Sequence, residues 1–110
     1  MDKLSLDAVA REQLQAARNA GSGRAAETVF GGHEKVLRQT VVAMTAGASL
    51  AEHENPGEAT LQVIQGRVRL VGPHASWEGR DGDLIVIPQS RHSLEAVTDA
   101  AVLLTVAKLP

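Results

Sequence analysis

From Thr28 onward the chain breaks into short β-rich runs, residues 36–46, 60–64, 67–71, 84–87 and 101–107, with Gly or Pro at most of the junctions. Runs this short leave no room for successive helices, and their regular spacing is that of an all-β sandwich or barrel. Arg67, Val68, Arg69, Leu70 and Val71 alternate charged and apolar, as a strand with one wet face and one core face does. Gly66 sits where a tight turn must open that strand. Val71-Gly72-Pro73-His74 reads as a hairpin tip leading into residues 75–78, and Arg80-Asp81-Gly82-Asp83 as a turn before Leu84-Ile85-Val86-Ile87. That last run is apolar on both faces, which predicts burial on both sides.

Ahead of the strands, residues 5–20 read as one amphipathic helix. Ser5 is placed to cap it, Leu6, Val9, Leu14 and Ala17 fall on one side, and Gly21 is placed to close it. Gly21-Ser22-Gly23 and strand-like sequence come next rather than a second helix, which argues against a DNA-reading helix-turn-helix. The expected role is a helix packed outside the barrel or across a subunit boundary. Gly31-Gly32 lies between two strand-like runs, where a dinucleotide fingerprint needs strand, turn and helix in order; turn glycines are the reading. We divide the chain into a helix and lead-in strand over 1–35 and a barrel over 36–110, together one domain of 110 residues.

Composition excludes several function classes. Trp77 and Phe30 are the only aromatics and the net charge is −2, which leaves neither a stacking platform nor a basic face for nucleic acid. The absence of cysteine excludes disulfides, thiolate metal sites and cysteine nucleophiles. No stretch approaches the roughly 18 apolar residues of a membrane span, and residues 1–7 carry charge where a signal peptide needs an apolar run. The expectation is a cytoplasmic protein without membrane or nucleic-acid partners.

Two stretches carry a family resemblance. The first runs from Gly47 through His53, Asn55, the Pro56-Gly57 turn and Ala59 to Gly66; the second runs from Gly82 through Pro88 to His92. They resemble the two motifs of the cupins, G-x5-H-x-H-x3,4-E-x6-G and G-x5-P-x-G-x2-H-x3-N. The resemblance covers residues 36–108 and takes in Leu94-Glu95-Ala96 and residues 102–106 as closing strands. It implies an all-β, RmlC-like jelly roll, a double-stranded β-helix of the small single-domain kind, with one N-terminal α-helix. In that family three histidines and a glutamate hold one metal ion. This chain keeps Gly47, His53, Gly66, Gly82 and Pro88 in register. It has Asn55 for the second histidine, Ala59 for the glutamate, Ser90 for a glycine, and His92 one residue early.

Residues two apart on a strand share a face, so His53 and Asn55 lie together, with Glu52 and Glu54 turned away. Beyond the turn Ala59, Leu61 and Val63 form an apolar inner wall, while Thr60, Gln62 and Ile64 face outward. His92 is expected from across the barrel, with a bulge or tight turn at Gln89-Ser90 restoring its direction. The expected pocket is made of His53, Asn55, Ala59, Leu61 and His92. Two imidazoles and an amide oxygen are a poor cage for a divalent ion, and it is waters, with Glu58 from the turn, that would have to complete an octahedron around His53, His92 and Asn55. The resemblance therefore implies a small-molecule binder with an eroded metal site. The alternative is a dioxygenase or isomerase whose zinc, iron, manganese or nickel ion rests on His53 and His92, with or without Asn55. Arg38 and Gln39 lie on the strand before the first motif, where alternation turns one of them toward the pocket, but the expected account of both is exposed strand polarity. His33 and His74 are expected in solvated loops, and Met44 and Trp77 in packing. Family members commonly pair through the outer face of a sheet and an exchanged N-terminal segment, which implies a homodimer.

Overall fold

The computed structural model describes residues 2–53 and 57–108, and of Glu52 and His53 only the backbone. Helix α1 (Leu6–Asn19) comes first, capped by Ser5, whose Oγ accepts from the Ala8 N–H at 3.2 Å. Strands β1 (Arg24–Phe30), β2 (Leu37–Met44), β3 (Ser49–His53), β4 (Gly57–Gln65), β5 (Arg67–Val71), β6 (Ser76–Arg80), β7 (Leu84–Ile87), β8 (His92–Ala96) and β9 (Ala100–Lys108) come after it. They form a five-stranded sheet in the order β1-β2-β9-β4-β7 and a four-stranded sheet in the order β3-β8-β5-β6. Every pairing is antiparallel. Both β2 to β3 and β8 to β9 cross from one sheet to the other, so the sheets fold on each other as a jelly roll.

Alternation sorts the side chains. On β4, Ala59, Leu61 and Val63 enter the core between the sheets, and on β9 Ala100, Val102 and Val106 do the same. Val42 and Met44 of β2, Val68 and Leu70 of β5 and Leu94 of β8 complete that core from their own strands. Met44 packs fully, as the sequence predicts. The opposite parity of β2 and β9, Val41, Ala43, Ala101 and Leu103, packs on Ala10, Leu14 and Ala17 of α1, which lies outside the larger sheet. Asp99, in the β8–β9 turn, ties the helix end to the barrel. Its carboxylate accepts from the Ala46 N–H at 2.9 Å and from Arg18 at 3.3 Å. The backbone bond chiefly, then the guanidinium, holds its pKa below the ordinary carboxylate value of 3.8.

Three expectations need correction. Gly21 does not close the helix: Ala20 caps it in an extended conformation, and the positive φ falls at Gly23. Trp77 is 46% exposed because β6 is a sheet edge with no further strand to cover it. The run Leu84–Ile87 is buried on one face only. Ile85 and Ile87 enter the core, but Leu84 and Val86 remain 61% and 74% exposed, since β7 is an edge strand and α1 lies over β1, β2, β9 and β4.

Candidate functional site

One end of the barrel collects the chain's histidines. The β1–β2 loop with His33, the β5–β6 loop with His74, the last residue of β3, His53, and the first of β8, His92, all lie there. His33 and His74 are exposed loop residues, as expected. His92 is different. It is 3% exposed and on the inward face of β8 with Leu94 and Ala96. After Pro88 the chain bends at Gln89 and Ser90, and these bends make up for the residue missing from the spacing. Gln89 Nε2 donates to the Gly57 carbonyl at 3.3 Å, tying this loop to the start of β4.

The His92 ring is oriented by its own loop, with Nδ1 2.8 Å from the Ser90 carbonyl oxygen. A carbonyl only accepts, so Nδ1 carries the proton, and in the neutral ring Nε2 is the nitrogen with the lone pair. No sequence signal marks this contact, because its acceptor is backbone.

His92 does not come from across the barrel as expected: β8 is the neighbour of β3 in the smaller sheet, and the backbone of His53 meets His92 through a register shift. Leu50 pairs with Leu94, yet the next pair is His53 with His92, three steps on β3 against two on β8. The extra residue is a β-bulge, and it brings the backbone of His53 directly opposite His92, where strict alternation from Leu50, which packs on the core, would not. Asn55 lies outside the described residues, so its place in the pocket does too.

Between the sheets is a small apolar cavity of about 20 Å³ lined by Leu61, Val42, Leu50, Leu104, Ile87 and His92, among others. That is room for about one water molecule. Leu61 and His92 thus border it, whereas Ala59 stands on the same inner face one row nearer the histidine end. That row runs straight across the larger sheet as Arg38, Val106, Ala59, Ile87. Register also decides between the two residues that alternation left open. Gln39 lies on the outer face, donating from Nε2 to Thr105 Oγ1 at 3.2 Å, and Arg38 takes the inward position.

The arrangement of sheets is shared with solved structures. An RmlC-like cupin protein from Desulfovibrio desulfuricans is 27% identical over 97% of this chain and 96% of its own, with a TM-score of 0.76. This chain has the cupin fold. No protein-family model matches its sequence and no curated protein does. A cupin superfamily protein from Desulfitobacterium hafniense shares the fold at 13% identity and a TM-score of 0.72, covering 78% of both chains. Salicylate 1,2-dioxygenase from Pseudoaminobacter salicylatoxidans, solved in complex with gentisate, shares it at 23% identity and a TM-score of 0.74, over 92% of this chain but 31% of the dioxygenase. This cupin therefore matches about a third of that enzyme.

The donor set of this cupin does not fit the family's three-histidine, one-glutamate cage. Ala59 offers a methyl group where the carboxylate belongs. Among the described residues no three His, Asp or Glu side chains gather closely enough to hold an ion.

Proposed function

We propose that this cupin binds a small organic molecule at the histidine end of its barrel, with His53 and His92 as the polar contacts and without the family's metal ion. The observation that carries the reading is the register pairing of His53 with His92 beside an apolar cavity, in a barrel whose carboxylate position is Ala59. Pockets that bind small ligands combine apolar walls with a few convergent polar groups, and the His92 ring on the cavity wall, with the backbone of His53 opposite it, supports that combination. The cavity is too small for a whole ligand, so the molecule sits at the open end with a short apolar part inside.

Elemental analysis of protein purified without added metal, paired with a thermal-shift screen of small acids, alcohols and amides, tests this. The expected result is no stoichiometric transition metal and a ligand-induced rise in melting temperature that disappears in a His53→Ala, His92→Ala double variant. A stoichiometric zinc, iron, manganese or nickel ion lost in the same variant would instead make this cupin a metal-dependent dioxygenase or isomerase.

We propose in addition that two copies associate through the outer face of the larger sheet. The row Phe30, Gln39, Thr105, Thr60, Val86 on that face carries no charge, and Leu84 beside it is also exposed. By contrast the outer face of the smaller sheet is laced by Arg69 to Glu78 at 3.0 Å and to Glu95 at 3.7 Å. Charge depletion around exposed apolar residues is the mark of an interface core. Light scattering at micromolar concentration is expected to give twice the chain mass, and Val86→Lys to return the monomer mass. A monomer in the unaltered protein would refute the pairing.

A further inference from the structure

The inward face of β2 carries a charge at the histidine end of the barrel. Val42 and Met44 enter the core and Val41 and Ala43 turn to α1, and the β2–β9 ladder runs without a register shift. Arg38 therefore continues the inward series and ends it, in the row it shares with Val106, Ala59 and Ile87. It is exposed at the rim. Arg18, Arg24 and Arg69 are each engaged, by Asp99, by the Ser49 carbonyl and by Glu78. The Arg38 guanidinium has no hydrogen bond or ion pair among the described residues.

The acids described at this end do not answer it. Ala59, in its own row, is apolar, Glu58 alternates to the outer face of β4, and the Glu34 carboxylate lies back over Gly32. Lys108, the neighbouring cation, is spent on backbone: its Nζ donates to the carbonyls of Gly32 at 2.9 Å and His33 at 3.3 Å.

We propose that Arg38 anchors the ligand's carboxylate, so that the molecule bound at the histidine end is a small organic acid with a short apolar tail. This rests on the reading that the end of the barrel binds a small molecule. A guanidinium presents two parallel N–H donors that match a carboxylate in plane, and its partner need not be buried to be oriented. The tail is set by the cavity of about 20 Å³ behind Leu61 and His92, which accepts little more than a terminal methyl group. Where the family's pattern places an acid to hold a cation, this row has lost the acid and carries a cation of its own.

The test is a titration of ¹⁵N-labelled protein with propionate, propionamide and inorganic phosphate, using the unaltered chain, Arg38→Gln and Arg38→Lys. Propionate is expected to shift the amides of Ala59, Leu61, Val106 and His92 saturably. Arg38→Gln should weaken it about tenfold, the loss of one charge-assisted pair, and Arg38→Lys less. Dispersed spectra of both variants establish that they fold. Equal propionate affinity in Arg38→Gln, or Arg38-dependent binding of phosphate in place of propionate, overturns the carboxylate anchor. Propionamide binding as tightly as propionate also overturns it while leaving the small-molecule reading intact. No shift at these amides with any of the three probes overturns both.

Discussion

Gly66→Ala is expected to cost about 4 kcal/mol of unfolding free energy, a large share of the ~5–15 kcal/mol typical of a folded domain. Gly66 closes the turn between β4 and β5 with a φ of +92°, a conformation that costs an L residue about 1–2 kcal/mol. The larger part of the loss is steric. A Cβ there would run into the Asp99 carbonyl oxygen and lie 2.7 Å from Ala100 Cα, both backbone atoms with nowhere to move. Gly47 is the control. Its φ is +88°, but a Cβ would meet nothing within 4 Å. Gly47→Ala should therefore lose only the conformational part, about 1 kcal/mol. Urea melts of the two variants separate the terms, and equal losses would show that the β4–β5 turn is not closely packed against the start of β9.

Those two glycines also show what the sequence made legible. Gly47 and Gly66 bound the first motif, yet each answers a backbone requirement, a positive φ at a turn, and neither carries any chemistry. Turn residues and apolar alternation are local signals, so the strands, the capping by Ser5 and the inward set Ala59, Leu61, Val63 were readable from the chain. Register between distant strands is not local. The bulge that sets His53 against His92 leaves no compositional trace, and Arg38 and Gln39 are told apart only by counting along β2 from Val42 and Met44. Edge position is equally invisible: the apolar run of β7 suits a buried strand, and only the sheet order leaves Val86 bare. His92 falls between the two cases. Its residue type and approximate position were legible, while the bend that turns it inward and the Ser90 carbonyl that fixes its tautomer belong to the folded loop.

Ala59→Glu is expected to give this cupin a metal site. Ala59 is 9% exposed on the inward face of β4, two strands from Arg38 in the same row and at the end of the barrel where His53 and His92 pair. Without metal the introduced carboxyl loses hydration among Val106 and Ile87, where burial favours its neutral form, and as an unpaired polar group it costs about 1–3 kcal/mol. With a divalent ion present, two imidazoles and a carboxylate make the three-ligand set of a typical catalytic zinc site. Binding to the folded state alone then adds about 2.7 kcal/mol at a hundredfold excess over Kd, so the variant should melt below the unaltered protein in chelator and recover in zinc. The unaltered protein should show no comparable zinc response. Adding His92→Ala should abolish the recovery, since it removes one of the three donors. Zinc-independent melting of Ala59→Glu, or a zinc response that survives His92→Ala, would mean that position 59 and the two histidines do not converge on one point, and the account of an eroded family site would fall with it.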